Sequence, residues 1–369
     1  MTPLAEARRF GGAFFLQSVL VLLLAALVAF IVRNVVANAA RLDLHVGFDF
    51  LARPAGFEIA MHPIAYSAQS TYGAAFLVGV LNTLMVAAAS SVVATVLGFA
   101  IGLLRLSTNR LASFAAASYV DIVRNIPLLL QLFFWYFAVL GTLPQPRQSL
   151  DFFGLAYLNR RGLYLASLVP EPGLAACAAS LALGIAAWMF LRRRWLAPAA
   201  LVALPAIALL AAGPPFSLET PHLAGFNFQG GILVIPEFLA MILGLSIFGA
   251  AFIAEIVRGG VLAVPYGQTE AALALGLGRW QINRHIVIPQ ALRIIVPPLV
   301  TQYILILKNS SLGAAIAYPE LMLVTGTVLN QTGQPIDVMA ITMAIYLALC
   351  LGIAAAGNAL NRRIQVLDA

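Results

Sequence analysis

Charged residues are scarce in this chain: they make up 9% of its 369 residues, whereas hydrophobic residues make up 62%. A water-soluble globular protein carries about 25% charged residues. The mean hydropathy of +0.95 agrees with this shortage of charge. Because so few polar groups cannot cover a body of this size in water, the composition excludes an ordinary soluble protein and indicates a lipid bilayer as the solvent.

Other absences exclude whole classes of function. The single lysine, Lys308, follows Leu307, so the Gly-Lys-Ser/Thr step of a phosphate-binding P-loop is missing. None of the four histidines lies well inside an apolar run, which argues against haem held between helices. The two cysteines, Cys177 and Cys350, lie within apolar runs and predict neither a disulfide nor a metal site. No basic stripe carries interleaved aromatic residues, so we expect no nucleic-acid partner.

Long, continuous apolar runs predict an all-α, polytopic membrane protein with about eight transmembrane helices. The first run follows Arg8 and Arg9 and is longer than the apolar core of a cleavable signal, so we interpret it as an uncleaved span. The predicted spans lie near 11–32, 75–104, 125–141, 174–191, 197–213, 235–257, 291–312 and 335–359.

Arginines predict the orientation of these spans. The run Arg192, Arg193 and Arg194 lies in a tight loop between the fourth and fifth spans, and such loops stay in the cytoplasm. With this loop inside, most other arginines also fall on the inner side. An even number of spans then puts both termini in the cytoplasm.

The longest predicted inner loop, residues 258–290, has an internal order of its own. It predicts a short helix over Gln268–Leu275 that ends at Gly276 and Gly278, because glycine adopts left-handed C-cap geometry at low cost. A second short helix, Trp280–Val287, is predicted to stop at Pro289. These residues alone leave two interpretations open, a docking knob or an ordinary amphipathic loop.

The spacing within this loop resembles a known motif. Glu270-Ala271-Ala272, then Gly276, then Ile286-Val287-Ile288-Pro289 resembles the EAA loop of bacterial binding-protein-dependent ABC importers, with Ile288 as a conservative departure from leucine. Further segments resemble the polar amino-acid (histidine/glutamate-type) branch of these permeases: Asn82-Thr83-Leu84, 119–128, 131–136, Pro289-Gln290-Ala291-Leu292-Arg293 and Lys308-Asn309-Ser310-Ser311-Leu312. By architecture, the chain is similar to the extended permeases of general L-amino-acid systems.

The resemblance implies an ABC type I importer permease core divided into four parts. These are an N-terminal span with a periplasmic segment, a first core part, an inserted segment with two extra spans, and a second core part that carries the loop 258–290; their ranges are 1–74, 75–141, 142–234 and 235–369. In this family the EAA loop docks on an ATP-hydrolysing subunit. The residues expected to form that ATPase-coupling contact are Glu270, Ala271, Ala272, Gly276, Ile286 and Pro289.

The resemblance also implies a location, the bacterial inner membrane, and partners. We expect two ATP-binding subunits, a second and different permease chain, a periplasmic amino-acid-binding protein and the lipid bilayer. This chain would then be no enzyme and would bind no cofactor, since ATP would be bound and hydrolysed on the partner subunit. The runner-up function is a secondary, ion-coupled transporter of small polar solutes, which would need a buried ion or proton relay.

Polar groups at membrane depth are the candidates for a substrate pathway. Lys308, Asn309, Ser310 and Ser311 come at the end of the seventh span, which Pro297 and Pro298 are predicted to break. Lys308 could attract a substrate carboxylate, or it could form a salt bridge or extend to the membrane surface. Lesser candidates are Glu255, Asn82, Thr83 and Gln131.

Overall fold

The computed structural model describes residues 3–41, 47–171, 173–190 and 196–366, and these are mostly helical. The α-helices of the described residues are α1 (Pro3–Arg41), α2 (Tyr72–Arg105), α3 (Arg110–Asn125), α4 (Leu128–Phe133), α5 (Gly173–Phe190), α6 (Leu196–Ala212), α7 (Pro236–Leu262), α8 (Tyr266–Ala274), α9 (Arg279–Ile282), α10 (Ile288–Asn309), α11 (Leu321–Thr332) and α12 (Pro335–Val366). Two π-helical segments, Phe134–Leu140 and Asn283–Val287, extend α4 and join α9 to α10. Short 3-10 helices lie at Asp49–Ala52, Pro146–Gln148 and Ser310–Ile316.

The predicted count of about eight transmembrane helices is not confirmed. Each predicted span overlaps a helix, but within the described residues only four helical stretches are long and apolar enough to cross a membrane: Tyr72–Arg105, Pro236–Leu262, Arg279–Ile316 and Pro335–Arg363. A fifth arises if the bent pair α3 and α4 is one span. Shorter apolar helical stretches lie at Leu16–Ile31, Gly173–Ala186 and Val202–Ala212. The arginine run at 192–194 lies outside the described residues.

The bend between α3 and α4 follows from Pro127. The two helices meet at 103°, and Ile126 between them has an extended backbone, as expected for a residue before proline. Pro127 itself caps the start of α4. The proline therefore accounts for both the end of α3 and the start of α4. The predicted span 125–141 begins at this bend and contains only the second arm.

The centre of the fold is the packing of α2 against α7. Two glycines of α2, Gly98 and Gly102, make it close: a Cβ atom at Gly98 would lie 2.6 Å from Ile253, and one at Gly102 would lie 2.7 Å from the carbonyl oxygen of Ala254. Small residues let two helix backbones approach closely inside a bilayer, where dispersion contacts drive helix association. α10 and α12 complete the bundle, with Ile306, Leu307 and Ile295 buried in its core.

The all-α prediction is wrong in detail, because the segment between α4 and α7 contains short β-strands. They are β1 (Leu150–Phe152), β2 (Ala156–Asn159), β3 (Gly162–Leu165), β4 (Ser167–Pro170), β5 (Phe216–Glu219), β6 (His222–Ala224), β7 (Asn227–Gln229) and β8 (Ile232–Val234). They form a four-stranded antiparallel sheet in the order β1-β2-β3-β8 and two two-stranded sheets, β4-β5 and β6-β7. Strands of three or four residues are too short for the alternation that reveals a strand in a sequence.

A second cluster of buried apolar residues lies at the opposite end of the bundle from α8. Residues 47–71, which precede α2, pack there against the first turns of α2 and against α11. Phe50 and Tyr66 of this segment are buried together with Leu321 and Val324 of α11. The segment is therefore part of the folded core.

Prolines interrupt α10 less than the sequence predicts. The second helix of the loop does not stop at Pro289, because the chain remains helical from Arg279 to Ile316. The π-helical turn at Asn283–Val287 comes directly before this proline, and a wider turn relieves the clash between a proline ring and the preceding turn. Pro297 and Pro298 also lie inside α10 without ending it. The change of helix type comes later, at Ser310–Ile316.

Candidate functional site

The loop between α7 and α10 contains a capped helix that projects from the bundle. α8 ends in a Schellman motif, in which the Gly276 N–H donates to the Leu273 carbonyl (2.9 Å) and the Leu277 N–H donates to the Ala272 carbonyl (3.1 Å). Gly276 has φ +77, so its prediction as the C-cap is confirmed. Gly278 has φ −72 and begins α9 instead, so its prediction as part of that cap is wrong. The helix itself spans Tyr266–Ala274, close to the predicted range.

The motif residues divide between the surface and the core. Glu270, Ala271 and Gly276 are exposed, whereas Ala272 is buried at the base of α8. Within the described part of the chain Glu270 has neither an ion pair nor a hydrogen bond from its side chain. Ile286 and Pro289 are half-buried where the π-helical turn enters α10. The loop therefore presents a carboxylate and small side chains outward on a helix with a fixed end.

Large apolar side chains surround these motif residues and remain uncovered. Leu275 is 81% exposed and Trp280 is 67% exposed, and Tyr266 and Leu273 are exposed as well. The Arg284 guanidinium lies over the Trp280 ring, 5.2 Å from its centroid. An exposed apolar patch with a polar rim is typical of a protein interaction surface. The sequence motif did not point to Leu275 and Trp280, although both lie next to its spaced positions.

An ion pair between side chains joins the start of the loop to α2. Glu255 of α7 accepts hydrogen bonds from Arg105, the last residue of α2, and from Arg258, one helical turn further along α7. The Arg258 Nε atom lies 3.2 Å from each carboxylate oxygen. These two ion pairs account for the presence of the Glu255 carboxylate in an otherwise apolar helix, and no contact with a substrate is needed to explain it.

Lys308 and Ser311 line a cavity of about 390 Å³ between α10, α11 and α12. Its other lining residues are Met322, Met339, Thr342, Met343, Tyr346, Leu347 and Cys350. The structure does not bring all four predicted pathway residues to this cavity. Ser310 is fully buried and donates to the Leu307 carbonyl (2.7 Å), and Asn309 is half-buried outside the cavity lining. The sequence analysis missed the residues of α12, because their distance in sequence gives no sign of this contact.

The other polar candidates for the substrate pathway form hydrogen bonds within the fold. Asn82 of α2 is buried and donates to the carbonyls of Met61 (2.7 Å) and Pro319 (2.8 Å). Thr83 accepts from the Leu321 N–H (3.1 Å). Gln131 donates to the carbonyls of Val123 and Ile126 across the bend between α3 and α4. Each of these side chains satisfies backbone groups at a break in helical structure.

Glu320 is a fully buried acid of this region, and the sequence analysis did not single it out. It caps α11 by accepting from the N–H groups of Met322 and Leu323, both at 2.8 Å, and it accepts a third bond from the Tyr346 hydroxyl (2.9 Å). Burial raises the pKa of the Glu320 carboxyl to about 7, although the three donors favour its charged form. Glu320 lies between the spans Arg279–Ile316 and Pro335–Arg363.

The described ranges hold no group of three or more His, Cys, Asp or Glu side chains that could ligate a metal ion.

Comparison with known proteins gives a family match over most of the chain. Residues 94–366 match the family described as "Binding-protein-dependent transport system inner membrane component". Members of this family are the transmembrane components of ABC transporters, and the ATPase activity lies in a separate subunit.

Three curated relatives are similar over almost their whole length. A putative amino-acid ABC transporter permease protein, YhdX of Escherichia coli (strain K12), is 46% identical over 96% of this chain and 95% of its own. The general L-amino acid transport system permease protein AapQ of Rhizobium johnstonii is 42% identical, over 96% of this chain and 93% of its own. The glutamate/glutamine/aspartate/asparagine transport system permease protein BztB of Rhodobacter capsulatus is 33% identical, over 95% and 93%.

A solved structure supports the fold. The crystal structure of an amino acid ABC transporter with histidines aligns with a TM-score of 0.51, over 79% of this chain and 95% of the other. The two sequences are 22% identical, so this likeness bears on the fold alone.

Proposed function

The chain belongs to the family of binding-protein-dependent transport system inner membrane components, and from this premise we propose that it is the permease subunit of an ATP-driven importer of polar or general L-amino acids. The observation that carries the proposal is the capped knob of α8 and α9 with its exposed apolar side chains. The names of the relatives at 46% and 42% identity support amino acids as the cargo.

The knob fits a protein cleft on an ATP-hydrolysing subunit. Glu270 and Ala271 are exposed on one helix with Leu275 at its end, so the exposed surface of α8 offers a charge, a close-approach surface and an apolar anchor. Buried aromatic and aliphatic anchors carry most of the energy of a protein interface. In this proposal Gly276, Ile286 and Pro289 hold the knob in place. ATP is bound by the partner subunits, two per complex, and this chain holds no cofactor of its own.

The cavity at Lys308 suits the substrate pathway. The Lys308 ammonium supplies a positive charge for an α-carboxylate, while Ser311, Thr342 and Tyr346 offer hydroxyl groups. Three methionines form much of the remaining wall, and flexible thioether side chains accommodate different substrate side chains. Asn309 and Ser310 support this group from α10 without lining the cavity. Such a site fits a transporter of several amino acids.

We further propose the assembly and orientation that the arginine distribution predicts. Eight spans cross the inner membrane with both termini in the cytoplasm, and the knob lies on the cytoplasmic side. A second, different permease chain completes the pathway, and a periplasmic amino-acid-binding protein delivers the cargo. Closure of the ATP-binding subunits moves the docked knob, and the bundle then switches between outward-open and inward-open states as rigid bodies.

The test of this function is a double substitution in the knob, Glu270→Lys with Gly276→Asp. It reverses the exposed charge and places a side chain at φ +77, where only glycine is relaxed. We expect the chain to insert into membranes normally, to lose its ATPase partner on co-purification and to lose ATP-dependent amino-acid uptake. Retained uptake together with a retained partner would overturn the proposal. The matched control is Gly278→Asp, at a position with an ordinary φ of −72.

A further inference from the structure

The ion pair between Arg105 and Glu255 joins the end of α2 to the start of the coupling loop (residues 258–290). We propose that this pair is the joint through which movement of the coupling loop is passed to α2, so that Arg105 and Glu255 are positioning residues for transport. The inference rests on the proposed function. It assigns a role to two side chains that touch neither the ATPase-facing knob surface nor the Lys308 cavity.

The pair joins two helices at the end where the loop begins. Arg105 is the last residue of α2, and Glu255 lies one helical turn before Arg258, where the loop starts. Arg258 belongs to the same helix as Glu255 and donates to the same carboxylate, so it holds that carboxylate in its orientation. The bridge to α2 is therefore the contact that crosses between helices. Its arginine is only 17% exposed, and partial burial strengthens an ion pair relative to one in water.

Close packing extends this joint in both directions. Gly102 lies against Ala254 and Val257 of α7, one turn from the ion pair. After the loop, Ile295 of α10 packs so tightly against Gly260 that a Cβ atom there would have no room. The loop thus leaves from α7 and returns to α10 at one compact base. A displacement of the knob must move this base as a body, because packed interiors resist gradual deformation.

α2 leads from this base to the opposite end of the bundle. Near its other end, Asn82 donates to the Pro319 carbonyl, and Thr83 accepts from the Leu321 N–H. The Tyr318 hydroxyl donates to the Asn82 carbonyl (2.9 Å). A helix of 34 residues is about 50 Å long, enough to link the two ends of a membrane protein. The ion pair therefore connects the loop end of α2 to α7, next to the start of the coupling loop.

The experiment compares transport with ATP hydrolysis in the reconstituted complex. Arg105→Gln should lower the amount of amino acid taken up per ATP hydrolysed about tenfold, in line with coupling energies between sites. The ATPase partner should still co-purify. Glu255→Gln should lower coupling at least as much, because it also weakens the pair with Arg258. The double substitution should be no worse than Glu255→Gln alone, because both substitutions break the same bridge between α2 and α7. Arg105→Lys should restore most of the coupling, because it keeps the charge.

The matched control is Arg110→Gln, which removes an exposed arginine five residues away at the start of α3. It should leave the ratio of uptake to ATP hydrolysis unchanged. Unchanged coupling in Arg105→Gln, additive losses in the double substitution, or a loss of the ATPase partner would each overturn the inference. A failure of the proposed function is distinguishable, because the unsubstituted complex would then show no ATP-dependent amino-acid uptake.

Discussion

The two ends of the helical bundle differ in how much of their surface the chain itself covers. At the loop end, Leu275 and Trp280 are largely exposed on a capped knob. At the opposite end, residues 47–71 cover α11, and Tyr318 and Glu320 are fully buried with their polar groups bonded inside the chain. The loop end is therefore built to be completed by another protein, whereas at the opposite end the chain covers its own core.

This difference separates the expected effects of substitution. At the loop end a substitution removes a contact that forms only on assembly, so it should change affinity and leave the stability of the chain alone. At the opposite end a substitution removes contacts already made on folding, so it should change stability first. Exposed large apolar side chains on the spans do not belong to this comparison, because lipid covers them.

The largest expected effect is at the knob. Replacing Leu275 and Trp280 together with alanine should weaken binding of the ATPase subunit by about 100-fold, since anchor residues at interfaces contribute about 2 kcal/mol or more. Thermal stability of the isolated permease should not change. Binding to the permease in lipid nanodiscs measures the effect. Leu351→Ala, at a residue 60% exposed on α12, is the control and should keep full affinity; equal losses in both variants would break the comparison.

The next effect is at Glu320. Glu320→Ala removes the cap of α11 and the acceptor of the Tyr346 hydroxyl, so it should lower the free energy of unfolding by about 2–3 kcal/mol. Thermal unfolding in detergent measures this loss. Glu320→Gln keeps acceptor oxygen and should lose less. If Glu320→Ala instead left stability unchanged and reduced only partner affinity, the opposite end would not be the self-sufficient one.

An effect of similar size at the same residue should appear with pH. The pKa of Glu320 is raised by burial from its ordinary 4.5 to about 7, so the folded state binds this proton more tightly than the unfolded state. Stability should therefore be highest below pH 4.5 as far as this group is concerned. It should fall by up to about 3 kcal/mol as pH rises to 7, and then level off. Glu320→Gln should flatten that slope in thermal unfolding curves, and an unchanged slope would assign it to another group.

The smallest effect compares two neighbouring glycines. Gly276→Ala places a Cβ at φ +77 and should cost about 1 kcal/mol locally, which weakens ATPase binding severalfold. Gly278→Ser should cost little, because its backbone is ordinary and serine is a preferred residue at a helix N-cap. Parallel affinity measurements on both variants check this. Equal losses would mean that the Schellman cap does not position the knob.

Much of the loop end could be predicted from the sequence. The spacing of Glu270 and Gly276 indicated a helix and its cap, because cap geometry depends on a few adjacent residues. Gly278 and Pro289 were misinterpreted for a related reason: both residue types commonly end helices, but here one begins α9 and the other continues α10. Local composition does not determine whether such a residue ends the preceding helix or begins the following one.

Most contacts at the opposite end of the bundle could not be predicted from the sequence. Its hydrogen bonds join Asn82 to Pro319 and Glu320 to Tyr346, residues far apart along the chain. Such pairings depend on how helices pack, and no short spacing encodes them. The short strands of the segment between α4 and α7 were missed likewise, because three or four residues do not establish a period. The sequence analysis predicted Lys308 and Ser311 as pathway residues, but it did not identify the residues of α12 that line the same cavity.

The central claim is that ATP, acting through a separate subunit docked on the knob, drives import through this chain. The most direct measurement is amino-acid uptake by proteoliposomes that contain the complete complex and its binding protein, energised in two ways. The account predicts uptake with ATP supplied to the ATPase subunits and all ion gradients collapsed. Uptake driven by a proton gradient without ATP, with none under ATP alone, would contradict it and favour an ion-coupled transporter.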